Sequence, residues 1–367
     1  MLEVAELFQR VFLKRANPPT ESLVQYLRTL FLESPERDPD IQSQVYVRRD
    51  GAVAGFIGAL ALPMSLSDRP VRAAICSCLM VDRYAEDPLA GARLLRTFLS
   101  GPQDISLSET ASDVSANMWS KLRGVALPAY SLEWVRLIKP TGFLVELLAD
   151  RFPAARILSP LAWSVDAWNR RKSAGSSPRW STVPVIAEAG PGQVNDIAID
   201  NETLIELVPR FTSTYLLHPR WTSDSLRRIL ADAAKKARYG DITRRMVVSR
   251  GGAPIGAFIY HGRPGRVGYV LQILAAPGQT GPVVDCMIAR AAASGLVALR
   301  GRTQPALLDA MLTRRCAFTH LSSTVVHARD RALIEPFLTG HAFFNGLAGE
   351  AWTRLIGDDW SADSETN

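Results

Sequence analysis

Leu79-Met80-Val81-Asp82-Arg83-Tyr84-Ala85-Glu86-Asp87-Pro88-Leu89-Ala90-Gly91-Ala92-Arg93-Leu94-Leu95 changes its periodicity twice, and the rest of the chain can be ordered around that change. It opens as the end of an apolar strand expected over residues 71–81. Charged residues and Pro88 break the strand, after which Leu89, Ala92, Leu95 and Leu99 recur at helical spacing over residues 87–99. A strand that turns directly into a helix presents the first helical N–H groups at the strand's end, where the helix dipole favours an anion. Gly91 has no side chain to keep a ligand away from that backbone.

Upstream, Val4, Leu7, Phe8, Val11 and Phe12, then Leu23, Tyr26, Leu27, Leu30 and Phe31, fall on the i, i+3, i+4, i+7, i+8 pattern of two helices. Asn17-Pro18-Pro19-Thr20 separates them. Val45 and Val47 alternate with polar residues, Asp50-Gly51 supplies a hairpin turn, and residues 56–60 read as the return strand. Downstream, a strand is expected over 105–108, a helix over 113–122 and a strand over 129–137. Residues 160–192 are dense in Gly, Ser and Pro and read as a connection. Beyond them the order returns: helices over 204–211 and 226–235, strands over 246–248, 255–260 and 267–274, a helix over 283–293, a strand over 296–300, a helix over 306–314 and a strand over 321–326.

Two stretches of the halves align without a gap. Asp50–Gly55 lies over Gly251–Gly256 at an offset of 201 residues, Leu79-Met80-Val81 lies over Ile273-Leu274-Ala275 at 194, and Gly91 lies over Gly281 at 190. The drift between offsets has the size of loop-length changes, so the chain reads as a tandem duplication: a first domain over 1–158, a linker over 159–192, a second domain over 193–357 and a tail over 358–367.

Two helices, a hairpin with a third strand, a turn into a helix, a strand, a helix and a last strand: this order resembles the GNAT superfamily of acyl-CoA N-acyltransferases, covering residues 4–140 and more faintly 200–335. The resemblance implies an α/β (α+β) fold of two GNAT-like domains, each a mixed, mostly antiparallel sheet flanked by helices. It implies acetyl-CoA as acyl donor and no metal, with main-chain groups of Leu79, Met80 and Val81 pairing with the pantetheine arm. It also implies that Asp87, Leu89, Ala90, Gly91 and Ala92 lie at the diphosphate and Asn117 beside the cofactor. The motif departs from the family's: Glu86 stands at its Arg/Gln, Leu89 at its first Gly, and Pro88 removes a donor. Gly278, Gln279, Thr280 and Gly281 before the equivalent second-half helix keep two glycines and carry no acid, so they are expected at the cofactor as a better anion cradle than residues 86–91. Trp119 takes the place of the family's Tyr; an indole N–H donates a hydrogen bond but does not transfer a proton.

For the chemistry itself, Glu109 and Asp113 are the first-half acids nearest the expected cleft, and Tyr84 lies near the thioester end. The five histidines all fall in the second half without metal-ligand spacing. Four scattered cysteines make no disulfide framework. Apolar runs are too short to cross a bilayer, and the start lacks a signal peptide's basic region, so a cytoplasmic protein is expected. A net charge of +6 suits an anionic ligand. Paired basic residues such as Arg227-Arg228 come without the aromatics of a nucleic-acid reader, so nucleic acid is not the expected partner. The expected activity is acetyl transfer to an amine of a small molecule or sugar, with a homodimer as the assembly considered. The alternatives are a catalytically degenerate acyl-CoA-binding scaffold and an aminoacyl-tRNA-dependent transferase of the tandem-GNAT kind.

Overall fold

A computed structural model of the chain describes residues 1–82, 87–149, 182–184 and 194–360. The chain opens with α1 (Leu2–Phe8) and α2 (Glu21–Arg28), each prolonged by a wider π-helical turn, Gln9–Leu13 and Thr29–Glu33. Thr20 caps α2 by accepting from the Leu23 N–H at 3.4 Å. There follow β1 (Gln44–Val47), β2 (Val53–Leu66), β3 (Arg69–Val81), α3 (Ala90–Leu99), β4 (Ile105–Ala111), α4 (Asp113–Lys121), β5 (Val125–Ala126), α5 (Pro128–Ser131), β6 (Leu132–Leu137) and α6 (Pro140–Ala149). The second half runs β7 (Asn195–Ala198), α7 (Asn201–Thr212), β8 (Leu217–Pro219), α8 (Ser223–Ala234), β9 (Asp241–Val248), β10 (Pro254–Gly262) and β11 (Val267–Ala275). It continues with α9 (Thr280–Ala293), β12 (Ala298–Arg302), α10 (Pro305–Thr313), β13 (Ala317–His320), β14 (Ser323–Ala328) and α11 (Glu335–Leu338), then an irregular segment to Trp360.

The cross-strand register carries the two sequence offsets at once. Gly55 pairs with Val81 and Phe56 with Met80 in the first half; Gly256 pairs with Ala275 and Ala257 with Leu274 in the second. Each half therefore repeats the same hairpin, and the two sheets of seven strands are copies of one design.

The sheets do not coincide with the halves. β14, from the end of the chain, lies between β4 and β5 of the first sheet, and β6 lies between β12 and β13 of the second. Each half lends its last strand to the other. Burial follows the same exchange: one core holds Leu7, Phe31, Leu60 and Ile75 together with Val208, Leu230, Ile259, Phe343 and Trp360. The outer faces are covered separately, by α3 and α4 on the first sheet and by α9 and α10 on the second. Trp360, within the stretch read from sequence as a tail, is buried beside Tyr26.

Residues 129–131, expected in a strand, form the helical turn α5 instead. Pro128 presets the first helical φ, and the Ser131 hydroxyl donates to the Leu127 carbonyl at 2.8 Å. Residues 157–165, considered as a source of an additional edge strand, lie outside the described residues.

Candidate active site

β3 and β4 run parallel and stay in register only from Ala73/Ile105 to Ile75/Leu107. Beyond that pair β4 continues with β14 on its other edge, while β3 stays with β2 through a bulge between the Gly58/Ser77 and Phe56/Met80 pairs. Cys78 sits in that bulge with φ +54°, a left-handed conformation uncommon for a residue with a side chain. The strands thus part into a wedge, with Ser77–Val81 on one wall and Ser108–Ala111 on the other. Cys78 and Leu79 are half-buried and Thr110 is exposed, so this wedge reaches the surface.

A carboxyl group from far along the chain spans the wedge. Glu350 lies in the irregular C-terminal segment, and its Oε2 accepts from the Glu109 N–H at 3.3 Å and the Thr110 hydroxyl at 3.0 Å on one wall. Ser77 hydrogen-bonds it from the other wall. Burial, reinforced by the nearby Glu109 carboxylate, pushes the Glu350 carboxyl up to about 7. Such a group gives and takes protons at neutral pH. Burial likewise raises the Cys78 thiol to about 12, so this sulfur is a neutral lining group.

The residues singled out from sequence fall around this wedge in different ways. The Glu109 carboxylate accepts backbone N–H bonds from Gly346 at 3.1 Å, Glu350 at 2.5 Å and Ala351 at 3.0 Å, so it fastens the C-terminal segment to β4. Asp113 is exposed in the first turn of α4, where a carboxylate complements the helix dipole. Tyr84 and Glu86 lie outside the described residues. Leu79 and Val81 are half-buried on the β3 wall, and Met80 points into the core. Asp87 accepts from the Leu89 N–H at 2.9 Å and is ion-paired with Arg93, so an acid of this turn is spent on capping and pairing. Gly91 and Ala92 are half-buried at the start of α3, Leu89 is exposed and Ala90 is buried. A Cβ at Gly91 would meet Val81 Cγ2 at 3.4 Å, so α3 approaches the end of β3 closely here. Asn117 is exposed on α4, and Trp119 is fully buried beneath it.

A cavity of about 870 Å³ opens on the other side of the first sheet. Its floor includes Phe31, Ala59 and Leu60; its walls are α2, α8 of the second half, and Trp352 and Arg354 just beyond Glu350. Asp232 on α8 is its best-placed acid: its Oδ2 accepts from the Tyr26 hydroxyl at 2.9 Å, and burial raises its pKa. Glu36 is ion-paired with Arg228 at the rim.

The equivalent second-half wedge is packed shut. β11 and β12 are in register from Val267/Ala298 to Val270/Gly301 and then part, with Leu271 bulged. Phe344–Leu347 fills the gap. Asn345 donates through Nδ2 to the Tyr130 carbonyl at 2.9 Å and the Thr303 carbonyl at 2.8 Å, Gln304 donates to the Phe344 carbonyl at 2.9 Å, and the Leu347 N–H donates to Gln272 Oε1 at 3.0 Å. Gly346 has φ +63°, and a Cβ there would fall 2.4 Å from both the Leu271 carbonyl oxygen and Gln272 Oε1. The Gly278-Gln279-Thr280-Gly281 turn is present before α9, with Gly278 at φ +73° over open space. A Cβ at Gly281 would lie 2.8 Å from Arg314 Nη2.

Sequence reading missed Glu350 and Asp232. The available signal for Glu350 was compositional: it is the lone charged residue from Ala342 to Thr353.

The architecture matches solved structures of one fold. A GCN5-related N-acetyltransferase from Anabaena variabilis superposes with a TM-score of 0.55 at 11% identity, over 89% of this chain and 70% of that one. A probable N-acyltransferase from Enterococcus faecalis gives 0.55 at 11%, over 92% and 71%. A GCN5-related N-acetyltransferase from Kribbella flavida gives 0.50 at 12%, over 89% and 68%. No family model and no curated protein matches the sequence. The chain has the GNAT fold, used twice in tandem, with the last strands of the two copies exchanged.

Proposed function

We propose that the chain is an acyl-CoA-dependent N-acyltransferase whose donor site is the wedge between β3 and β4 and whose acceptor enters from the cavity lined by α2 and α8. The observation that carries this reading is the buried carboxyl of Glu350, held across the open wedge and titrating at about 7. An amine is a nucleophile only when unprotonated and must lose a proton as it attacks, so a base poised near neutrality is the group required there. The wedge leaves the β4-facing edge of β3 beyond Ile75 without strand partners from β4, as an extended donor arm requires.

In the proposed reaction the acceptor nitrogen attacks the thioester carbonyl, forming the C–N bond. Main-chain N–H groups at the Cys78–Leu79 bulge polarise the oxyanion. Glu350 takes the nitrogen's proton, the C–S bond breaks, and coenzyme A leaves as the thiol after receiving that proton. Acetyl is the proposed acyl group, and a primary amine of a small molecule or sugar the proposed acceptor. A cavity of about 870 Å³ admits a drug-sized molecule, with Asp232 available to an ammonium group. The test is release of free thiol from acetyl-CoA across a panel of primary amines. Amine-dependent release supports the reading; no release with any amine, together with no acetyl-CoA binding, refutes it.

A further inference from the structure

We infer that the second-half wedge serves as a socket for the C-terminal segment, and that Gln272, Asn345 and Lys236 are positioning residues that hold Glu350 across the first-half wedge. The role of Glu350 in this inference rests on the proposed acyltransferase reading; the anchoring does not.

Glu350 belongs to no helix or strand, so its position depends on what holds the chain on either side. Before it, residues 344–347 are seated between the ends of β11 and β12. Asn345 bonds two carbonyls, Gln272 takes the Leu347 N–H, and the Gly346 backbone fits where no Cβ could. After it, Lys236, two residues beyond α8, reaches in with a buried side chain whose Nζ donates to the Thr353 carbonyl at 2.6 Å and the Ile356 carbonyl at 2.5 Å. Glu109 then receives the N–H groups of Gly346, Glu350 and Ala351 on one carboxylate. Ordering an irregular segment costs backbone entropy, and these bonds to rigid strand and helix ends offset it.

The pattern explains three buried polar groups at once. Gln272 and Asn345 stand in a wedge that holds protein, and Lys236 is a buried amine, lowered by burial to about 7, whose hydrogen bonds go to the segment carrying Glu350. The groups facing Glu350 come from every side: Glu109 and Thr110 on β4, and Ser77, Cys76 and Cys78 on β3. Burial lowers the Lys236 amine to about 7, against the opposing pull of Asp232, Asp358 and Glu109 around it. A segment released from its socket would move Glu350 out of this setting and toward water.

The experiment compares wild type with Gln272→Leu, Gln272→Glu and Lys236→Met. The readouts are amide hydrogen exchange over residues 345–353, the Glu350 midpoint by carbon NMR of carboxyl-labelled glutamate, and steady-state kinetics with acetyl-CoA and an amine. Gln272→Leu is expected to speed exchange at Leu347–Ala351 by about tenfold or more and move the Glu350 midpoint down from about 7. It is also expected to lower kcat by about tenfold with little change in donor KM. Gln272→Glu keeps an acceptor for the Leu347 N–H but loses the Nε2 bond to the Ile273 carbonyl and buries a carboxyl, so it should fall between wild type and Gln272→Leu. Lys236→Met should act as Gln272→Leu does, from the other end, and decides the matter if Gln272→Leu does not fold. Unchanged exchange and an unchanged Glu350 midpoint in the folded variants overturn the socket. If both readouts move but wild type transfers no acyl group, the socket stands and the acyltransferase reading falls.

Discussion

The wedge between β3 and β4 and the wedge between β11 and β12 begin from the same backbone event and end differently. An offset of 194 residues carries Ile75 onto Tyr269 and one of 193 carries Leu107 onto Arg300, and each pair lies at or within one residue of where its parallel strands part. By the same offsets, half-buried Cys78 answers to Gln272, which is 3% exposed, and exposed Thr110 answers to Thr303, which is fully buried. One wedge meets solvent and is crossed by an ionisable carboxyl; the other is filled by the chain's own backbone. A duplicated gap need not be kept for a ligand in both copies, because a gap between strands is costly unless something fills it. Here the C-terminal segment fills one copy and furnishes the other with Glu350.

The contrast can be broken most severely at Gly346. Gly346→Val puts a β-branched residue at φ +63°, against two oxygens at 2.4 Å from its Cβ. A loss of more than about 3 kcal/mol is expected from backbone strain and overpacking together, visible as a lowered denaturant midpoint. Glu350→Gln keeps the shape of the side chain and removes the proposed base. A fall of about a hundredfold in kcat is expected, with acetyl-CoA affinity retained, and steady-state kinetics beside calorimetry check it. In wild type the acid limb of the rate should rise with pH through about 7, as Glu350 ionises.

Stability should show the same group with the opposite sense. Glu350 titrates at about 7 when folded and near 4.5 when unfolded, so between those values the unfolded chain has released a proton that the folded chain retains. Its contribution is most favourable below about pH 4.5 and declines up to about pH 7, by on the order of 1 kcal/mol per unit. Glu350→Gln should flatten that slope, read by urea melts at pH 5 and pH 7.5. The smallest effect is expected at the proposed acceptor cavity: Asp232→Asn should raise the amine KM about tenfold while leaving the acetyl-CoA KM unchanged.

Much of the fold was legible because its signals are local. The helical stripes at 4–12 and 23–31, the Asp50-Gly51 turn and the Gly near the start of each return strand all lie within a few residues of what they specify. The exchange of β6 and β14 was not legible, since strand periodicity says which face of a residue is buried and nothing about which sheet it joins. The site divided along the same line. Leu79, Val81 and Gly91 follow from a local strand-turn-helix pattern, whereas Glu350 and Thr110 meet across 240 residues. Glu109 was singled out as an acid beside the wedge; its carboxylate proves to be occupied by three main-chain donors from that same distant segment.

Calorimetric titration of acetyl-CoA into wild type, Gly91→Glu and Gly281→Glu tests most directly whether the first wedge alone takes the donor. At Gly91 a glutamate would place a charge where α3 meets Val81; at Gly281 it would project toward Arg314, beside a wedge already filled with protein. The predicted result is binding to wild type and Gly281→Glu, and its loss in Gly91→Glu. Binding that survives Gly91→Glu and disappears in Gly281→Glu would contradict the account.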